Sequence, residues 1–135
     1  MHRLIAKGAV LAVLASLVAC QQHVPPPAAH AKSYVFKSSD DFDPNFSTQI
    51  ADTIKLMTPV FAQFYEMGQK DRAAGLTRVQ ALARAEGFKD DPAFSDMTTQ
   101  QNYVNQTVTA TLSKKQQRLL INESMGAYLD GFDGK

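Results

Sequence analysis

The sequence predicts a mainly α-helical protein, in which a small bundle of four or five helices follows an apolar N-terminal segment and a proline-rich tether. Beyond residue 45, apolar residues recur at the three- and four-residue intervals that place side chains on one face of a helix. Gly, Ser and Thr stand where such segments would begin and end. The chain has a single cysteine. Residues 34–135 are therefore expected to form one domain stabilised by an apolar core, without disulfides.

The first two helical segments are predicted over residues 46–57 and 59–74. Thr58-Pro59 lies between them and suits an N-cap followed by a first helical residue, although one kinked helix through Pro59 is also allowed. The acidic stretch 40–45 precedes the first segment and complements its helix dipole. A calcium loop is the alternative there, but the glycine and the terminal glutamate of an EF-hand are missing. The apolar positions are Phe46, Ile50, Ile54, Met57, Val60, Phe61, Phe64, Tyr65 and Met67.

Two glycine–apolar pairs predict the ends of the next helices. Gly75-Leu76 suits a Schellman stop for the helix that ends near residue 74. Thr77 then caps a short third helix over about residues 78–86, and Gly87-Phe88 repeats the glycine–apolar stop. The apolar face predicted for this third helix comprises Val79, Leu82 and Ala83.

The segment 97–112 is ambiguous between helix and strand. Its apolar spacing fits a helix, whereas its Thr and Val content favours an extended conformation, and helix is the interpretation adopted here. The preceding stretch 89–95 is predicted as a polar loop broken by Pro92. Ser113-Lys114-Lys115-Gln116 is a capping box for a last helix that runs to about Asp130. Its expected core-facing residues are Leu119, Leu120, Met125, Tyr128 and Leu129.

The N-terminus is typical of a bacterial lipoprotein signal. A basic start is followed by the apolar run Gly8–Ala19, which is shorter than the ~20 residues needed to span a bilayer. The run ends in Leu17-Val18-Ala19-Cys20, with a small residue before the cleavage point. Residues 1–19 are therefore predicted to be removed. An ordinary secretory signal and a transmembrane anchor are the alternatives.

Cys20 then becomes the first residue of the mature protein and the site of lipidation. Two or three acyl chains on one cysteine anchor a protein stably, whereas a single chain binds reversibly. Residues 20–33 follow as a flexible Pro/Ala-rich tether, since Pro25-Pro26-Pro27 favours extended polyproline geometry. Gln21 is not the Asp that marks inner-membrane retention in enterobacterial lipoproteins, so similarity to that class implies the outer membrane. The face that the domain occupies is left open.

The predicted domain lacks the residues that most catalytic and metal sites need. Residues 34–135 contain no Cys, His or Trp, while His23 and His30 fall in the predicted tether. Thiol chemistry, histidine-based triads and Cys/His metal sites are thereby excluded from that segment, and no phosphate-binding loop is present. No catalytic residue, cofactor or metal is predicted. Acid pairs such as Asp90/Asp91 and Asp130/Asp133 could in principle serve a hydrolase, although such pairs more often solvate a loop or a helix end.

Charge gives no indication of a nucleic-acid partner. Cleavage of the signal leaves 12 of the 14 basic residues, because Arg3 and Lys7 are lost, against 13 acidic residues. No long block of like charge occurs, so nucleic-acid binding is not predicted.

A Tyr-x-x-Gly spacing occurs twice, at Tyr65/Gly68 and at Tyr128/Gly131. Residues three apart share a helical face, and glycine inside a helix costs about 1 kcal/mol relative to alanine, so it usually has a packing reason. A close helix–helix crossing is the favoured interpretation. The alternatives are a partner-binding surface that includes an exposed tyrosine edge and, for Gly131, a simple helix end.

Together these motifs resemble the small enterobacterial outer-membrane lipoproteins of the entry-exclusion type. The resemblance is carried by Leu17-Val18-Ala19-Cys20, by Tyr65-x-x-Gly68 through Ala74-Gly75-Leu76-Thr77, and by the C-terminal Ala127-Tyr128-Leu129-Asp130-Gly131-Phe132-x-Gly134. It implies a non-enzymatic envelope lipoprotein that contacts a protein partner and hinders plasmid entry, and it transfers no catalytic residue. The alternatives are a pilotin-like assembly factor for an outer-membrane complex and a carboxylate-dependent cell-wall hydrolase.

Overall fold

A computed structural model describes residues 23–39, 46–95, 98–103 and 106–135. The predicted mainly helical bundle is confirmed. The cleavage motif, Cys20 and the acidic stretch 40–45 lie outside the described residues. The helices are α1 (Pro26–Ser38), α2 (Phe46–Ala73), α3 (Arg78–Gly87), α4 (Pro92–Ser95) and α5 (Lys114–Asp133), with a 3₁₀ turn at Phe88–Asp90 and strands β1 (Thr98–Tyr103) and β2 (Gln106–Thr111).

Helix α1 corrects the predicted tether. Pro26 stands at the start of the helix, where its missing N–H is not needed and its fixed φ is already helical. Ala31, Tyr34 and Val35 are buried at helical spacing, and the helix packs against both α2 and α5. The polyproline interpretation of residues 26–33 is therefore wrong, as is the start of the domain at residue 34.

The two segments predicted at 46–57 and 59–74 form one helix, α2, with Pro59 in its interior. Proline cannot donate to the carbonyl four residues earlier. Beside it, the Thr58 hydroxyl donates to the Ile54 carbonyl at 2.8 Å. Continuity through proline was one of the two arrangements that the sequence allowed, and the long helix supplies the central surface on which α1 and α5 pack.

The predicted helix ends are confirmed at Gly75, Thr77 and Ser113. Gly75 adopts φ +87°, and the amides of Gly75 and Leu76 donate to the Arg72 and Asp71 carbonyls, which is the Schellman pattern. Thr77 and Ser113 each form a complete capping box at the start of α3 and α5.

Helix α3 ends at Gly87, as predicted, but the glycine does not adopt the left-handed conformation expected of a glycine stop. Gly87 keeps a helical φ of −61° and the chain continues into the 3₁₀ turn. Pro92 does not break a loop either, because it begins the short helix α4, where the Asp91 carboxylate accepts from the Ala93 amide at 2.9 Å.

The segment interpreted as a helix at 97–112 contains an antiparallel hairpin. Strand β1 pairs with β2 in a register that sets Thr98 opposite Thr111 and Tyr103 opposite Gln106. Its Thr- and Val-rich composition favours extended backbone. The helical interpretation of this segment is therefore wrong, and its composition is the better indicator of its conformation.

The core lies between α1, α2 and α5, with α3 and α4 closing one side. Leu120 and Tyr128 are buried as predicted, and Leu119, Met125 and Leu129 pack against them. An aromatic cluster links the helices at ring-centroid distances of 5.3–6.2 Å, formed by Phe64, Phe88, Phe94 and Tyr128.

Candidate functional site

The two Tyr-x-x-Gly pairs meet where α2 crosses α5. A Cβ built on Gly68 would lie 2.0 Å from the Tyr128 carbonyl oxygen, and one built on Gly131 would lie 1.9 Å from the Tyr65 carbonyl oxygen. Each glycine therefore faces the backbone of the other pair's tyrosine. Only the absence of a side chain permits this approach. Gly131 lies inside α5 and does not end it.

The tyrosines of the two pairs have different surroundings. Tyr128 is fully buried, and its hydroxyl donates to the Asp71 carboxylate at 2.6 Å. Burial and this neighbouring carboxylate raise the pKa of Tyr128 to about 12. Tyr65 is half-buried, and its hydroxyl donates to the Lys135 carbonyl at 2.7 Å. A partner surface built on an exposed edge of Tyr128 is therefore excluded.

A cluster of polar side chains that the sequence did not predict joins α1 to α5. His30 Nδ1 lies 2.7 Å from a Glu123 carboxylate oxygen, and His30 Nε2 lies 3.0 Å from Asp130 Oδ2. Ser33 donates to the other Glu123 oxygen at 2.5 Å, and Lys37 donates to it at 2.9 Å. Four residues of this set are called the histidine clasp below: His30, Ser33, Glu123 and Asp130.

The residues of α5 that surround His30 lie on one face of that helix. Glu123, Gly126 and Asp130 recur at three and four residues, which places them on one stripe. A Cβ on Gly126 would lie 2.6 Å from His30 Cε1, so glycine makes room for the imidazole between the two acids. Phe61 of α2 lies on a further side, with its ring centroid 6.4 Å from that of His30.

The histidine clasp favours an imidazolium bound to two carboxylates. The hydrogen bond to Glu123 raises the pKa of His30 above its ordinary 6.5, burial opposes that rise, and the bond to Asp130 adds to it. Burial alone would raise the pKa of Glu123, but hydrogen bonds from His30, Ser33 and Lys37 outweigh it and lower that pKa to about 2. Opposite charges in contact stabilise each other's ionised forms.

This geometry suits a structural role better than acid–base chemistry. Both imidazole nitrogens contact carboxylates, and the Ser33 hydroxyl donates to Glu123 and not to His30. A nucleophile activated by histidine needs that hydroxyl on an imidazole nitrogen. Of the acid pairs noted in the sequence, Asp130 contacts His30, Asp133 pairs with Arg78, and Asp91 accepts the Ala93 amide.

Helix α3 presents its larger apolar side chains outward, which corrects the predicted orientation. Ala81 and Ala85 are buried against the bundle, whereas Val79 is 76% exposed and Leu82 is 42% exposed. Two ion pairs accompany this orientation: Arg84 lies 2.9 Å from Asp71 of α2, and Arg78 pairs with Asp133 of α5. The exposed residues Val79, Leu82 and Ala83 are called the α3 outer face below.

The sequence did carry a signal for the missed α1 cluster. Ala31, Tyr34 and Val35 have helical spacing, and proline is common at the first position of a helix. The three consecutive prolines outweighed both indications. Nothing in the local sequence indicates that His30 meets acids about a hundred residues away.

Among the described residues, no three His, Cys, Asp or Glu side chains are grouped so that they could hold a metal ion. Within the same ranges, no helix combines the length and apolar character needed to cross a membrane. The architecture and its contacts define a small helical bundle with a glycine-dependent helix crossing and a charged histidine clasp. Comparison with protein-family models, curated proteins and solved structures finds no match to this chain.

Proposed function

We propose that this chain is a non-enzymatic lipoprotein of the bacterial envelope, anchored in the outer membrane through acyl chains on Cys20, that acts by binding a protein partner. The observation that most directly supports partner binding is the exposure of the α3 outer face. A short helix that buries only alanines and exposes Val79 and Leu82 is inverted relative to an ordinary surface helix. Apolar side chains left exposed together on one helix face are typical of a contact surface.

The spacing of the α3 outer face suits a groove on a partner. Val79, Leu82 and Ala83 stand at positions i, i+3 and i+4, which form one stripe along the helix. The helix is already ordered by its Thr77 capping box and by burial of Ala81 and Ala85, so little ordering of its backbone is needed on binding. A rigid apolar stripe of this kind favours contact over catalysis.

The resemblance to entry-exclusion lipoproteins suggests the biological setting, in which the partner belongs to machinery that brings plasmid DNA into the cell. The motifs behind it include Leu17-Val18-Ala19-Cys20 and the two Tyr-x-x-Gly pairs. The glycine pairs have a packing role in the described fold. The α3 outer face is therefore the better place to test for exclusion.

Substitution of Val79 and Leu82 by aspartate is expected to abolish partner capture. Introduced carboxylates cannot be buried in an apolar groove without a large desolvation cost, so crosslinking to the partner should fall about tenfold or more. The measurement is crosslinking in the native host, with plasmid uptake scored in parallel. Leu56→Asp is the matched control, because Leu56 is 74% exposed on α2 and outside the α3 outer face.

Equal crosslinking by the variant and by Leu56→Asp would contradict the assignment of the contact surface. Normal plasmid uptake after both deletion and overexpression would remove the exclusion role. If deletion instead mislocalises an outer-membrane complex, the chain acts as a pilotin-like assembly factor, and the same substitutions should reproduce that defect.

Cys20→Ala is expected to release the protein from the membrane. The mature N-terminus of the wild type should carry the mass of two or three acyl chains on Cys20, and the variant should carry none and fractionate with soluble envelope proteins. Mass spectrometry and fractionation check both. An unmodified wild-type Cys20 in a soluble protein would refute the anchor.

A further inference from the structure

The position of α1 limits how far the domain can lie from an anchor at Cys20. Helix α1 begins at Pro26, so only residues 21–25 connect it to Cys20. Because a fully extended chain spans at most about 3.5 Å per residue, this connection reaches no farther than roughly 20 Å. That reach is shorter than a folded domain of this size is wide. The surface around α1 is consequently the part of the domain nearest to an anchored cysteine.

The outward side of α1 carries the side chains that suit a lipid surface. Ala29, Lys32 and Phe36 are exposed at positions i, i+3 and i+7, which places them on one stripe. Phe36 is 50% exposed, and Lys32 Nζ lies 5.9 Å from the centre of its ring. Aromatic and basic residues together are typical of helices that lie in the headgroup region.

The charge of α1 and the segment that connects it to Cys20 both favour contact of this outward side with lipid. No Asp or Glu occurs in α1, so no carboxylate of that helix would meet lipid phosphates. Val24, between Cys20 and α1, is 51% exposed and adds apolar surface on the path from the anchor. The inner side of α1 is taken up by contacts with α2 and α5, which leaves the Ala29–Lys32–Phe36 stripe as its outward side.

We propose that α1 lies along the membrane surface, with the Ala29–Lys32–Phe36 stripe among the lipid headgroups next to the anchor on Cys20. This rests on the proposed lipidation of Cys20. Lys32 contacts headgroup phosphates, and the Phe36 ring reaches the boundary of the acyl chains. The domain is thereby oriented relative to the bilayer as well as held near it.

The single native cysteine makes this proposal directly testable. Once acylated, Cys20 has no free thiol, so a fluorescent label on Phe36→Cys reports that position alone. In the acylated full chain on vesicles of phosphatidylethanolamine and phosphatidylglycerol, its emission should shift to shorter wavelength and be quenched by a spin-labelled lipid. The matched control is Val79→Cys, another exposed apolar position, which should show neither change.

Substitutions of Lys32 test the chemistry of the contact. Lys32→Glu, combined with Phe36→Cys, should lose the shift because a carboxylate would face lipid phosphate, and Lys32→Arg should retain it. If the label at position 36 behaves like the label at 79 while the protein stays on vesicles, the orientation is refuted and the anchor stands. If mass spectrometry finds two labels on the Phe36→Cys chain, Cys20 is unmodified and both proposals fail.

Discussion

Replacing Gly68 or Gly131 with alanine is expected to lower the free energy of unfolding by about 3 kcal/mol, the upper end of the usual cost of overpacking. In an isolated helix the same change would stabilise by about 1 kcal/mol, because alanine is the better helix former. Here the new methyl carbon would lie 2.0 or 1.9 Å from a backbone carbonyl oxygen of the facing helix. Backbone cannot rotate aside as a side chain can, so α2 and α5 must separate and the core around Tyr128 must loosen.

Chemical denaturation followed by circular dichroism measures this loss. Gly87→Ala is the matched control: Gly87 has a helical φ of −61° and nothing within 4 Å of an added Cβ. That variant should gain up to about 1 kcal/mol. Opposite signs for chemically identical substitutions would show that the crossing, and not helix propensity, controls the effect. A Gly68→Ala protein as stable as wild type would contradict the packing described for α2 and α5.

Replacing His30 with alanine is expected to destabilise the fold by about 3 kcal/mol near pH 6, since it removes two charge-assisted hydrogen bonds and leaves buried Glu123 with fewer partners. The loss should be concentrated where α1 meets α5. Hydrogen exchange of the α1 amides, compared with those of α2, measures it locally. His23→Ala is the control, because His23 is exposed and precedes α1.

The pKa shifts of His30 and Glu123 set the pH range over which the histidine clasp stabilises the fold. The pKa of His30 is raised above 6.5, so its stabilising effect is complete below pH 6.5 and is lost as pH rises through the raised value. The pKa of Glu123 is lowered from 4.5 to about 2, so its effect is complete above pH 4.5 and is lost toward pH 2.

Between pH 4.5 and 6.5 both contributions are present, so the stability difference between wild type and His30→Ala should be largest there. It should shrink on the alkaline side as the imidazolium loses its proton. Unfolding of both proteins across this range tests the sign. A difference that stays constant from pH 5 to pH 9 would mean that His30 contributes by packing on Gly126 and Phe61 and not through its charge.

Local sequence rules succeeded where the chain specifies its own structure within a few residues. The capping boxes at Thr77 and Ser113 and the Schellman stop at Gly75 are all where the sequence predicted them. Each depends on contacts between residues three to five apart. At Gly87 the position of the helix end was predicted correctly, but the glycine keeps a helical φ of −61° and a 3₁₀ turn follows it in place of a left-handed stop.

Sequence rules were less successful for elements whose conformation depends on tertiary contacts. Helix α1 was missed, and the strands β1 and β2 lie where helix had been favoured over an extended conformation, since short segments of mixed propensity adopt the structure that their packing or pairing favours. The outward orientation of Val79 and Leu82 was missed for a similar reason. In the folded chain α3 packs through Ala81 and Ala85, and Arg78 and Arg84 form ion pairs with α5 and α2, whereas apolarity alone would turn Val79 and Leu82 inward.

The sequence by itself determined a mainly helical chain with defined caps, a single cysteine in a motif that predicts lipidation, and two Tyr-x-x-Gly pairs for which close helix packing was the favoured interpretation. Those features are local, because hydrogen bonds and steric limits between near neighbours decide them. Only the tertiary structure decided that the pairs face each other, that His30 lies between Glu123 and Asp130, and that the first helix of the domain begins at Pro26, six residues after Cys20. These depend on distant segments meeting, which burial of a shared core controls and no local pattern specifies.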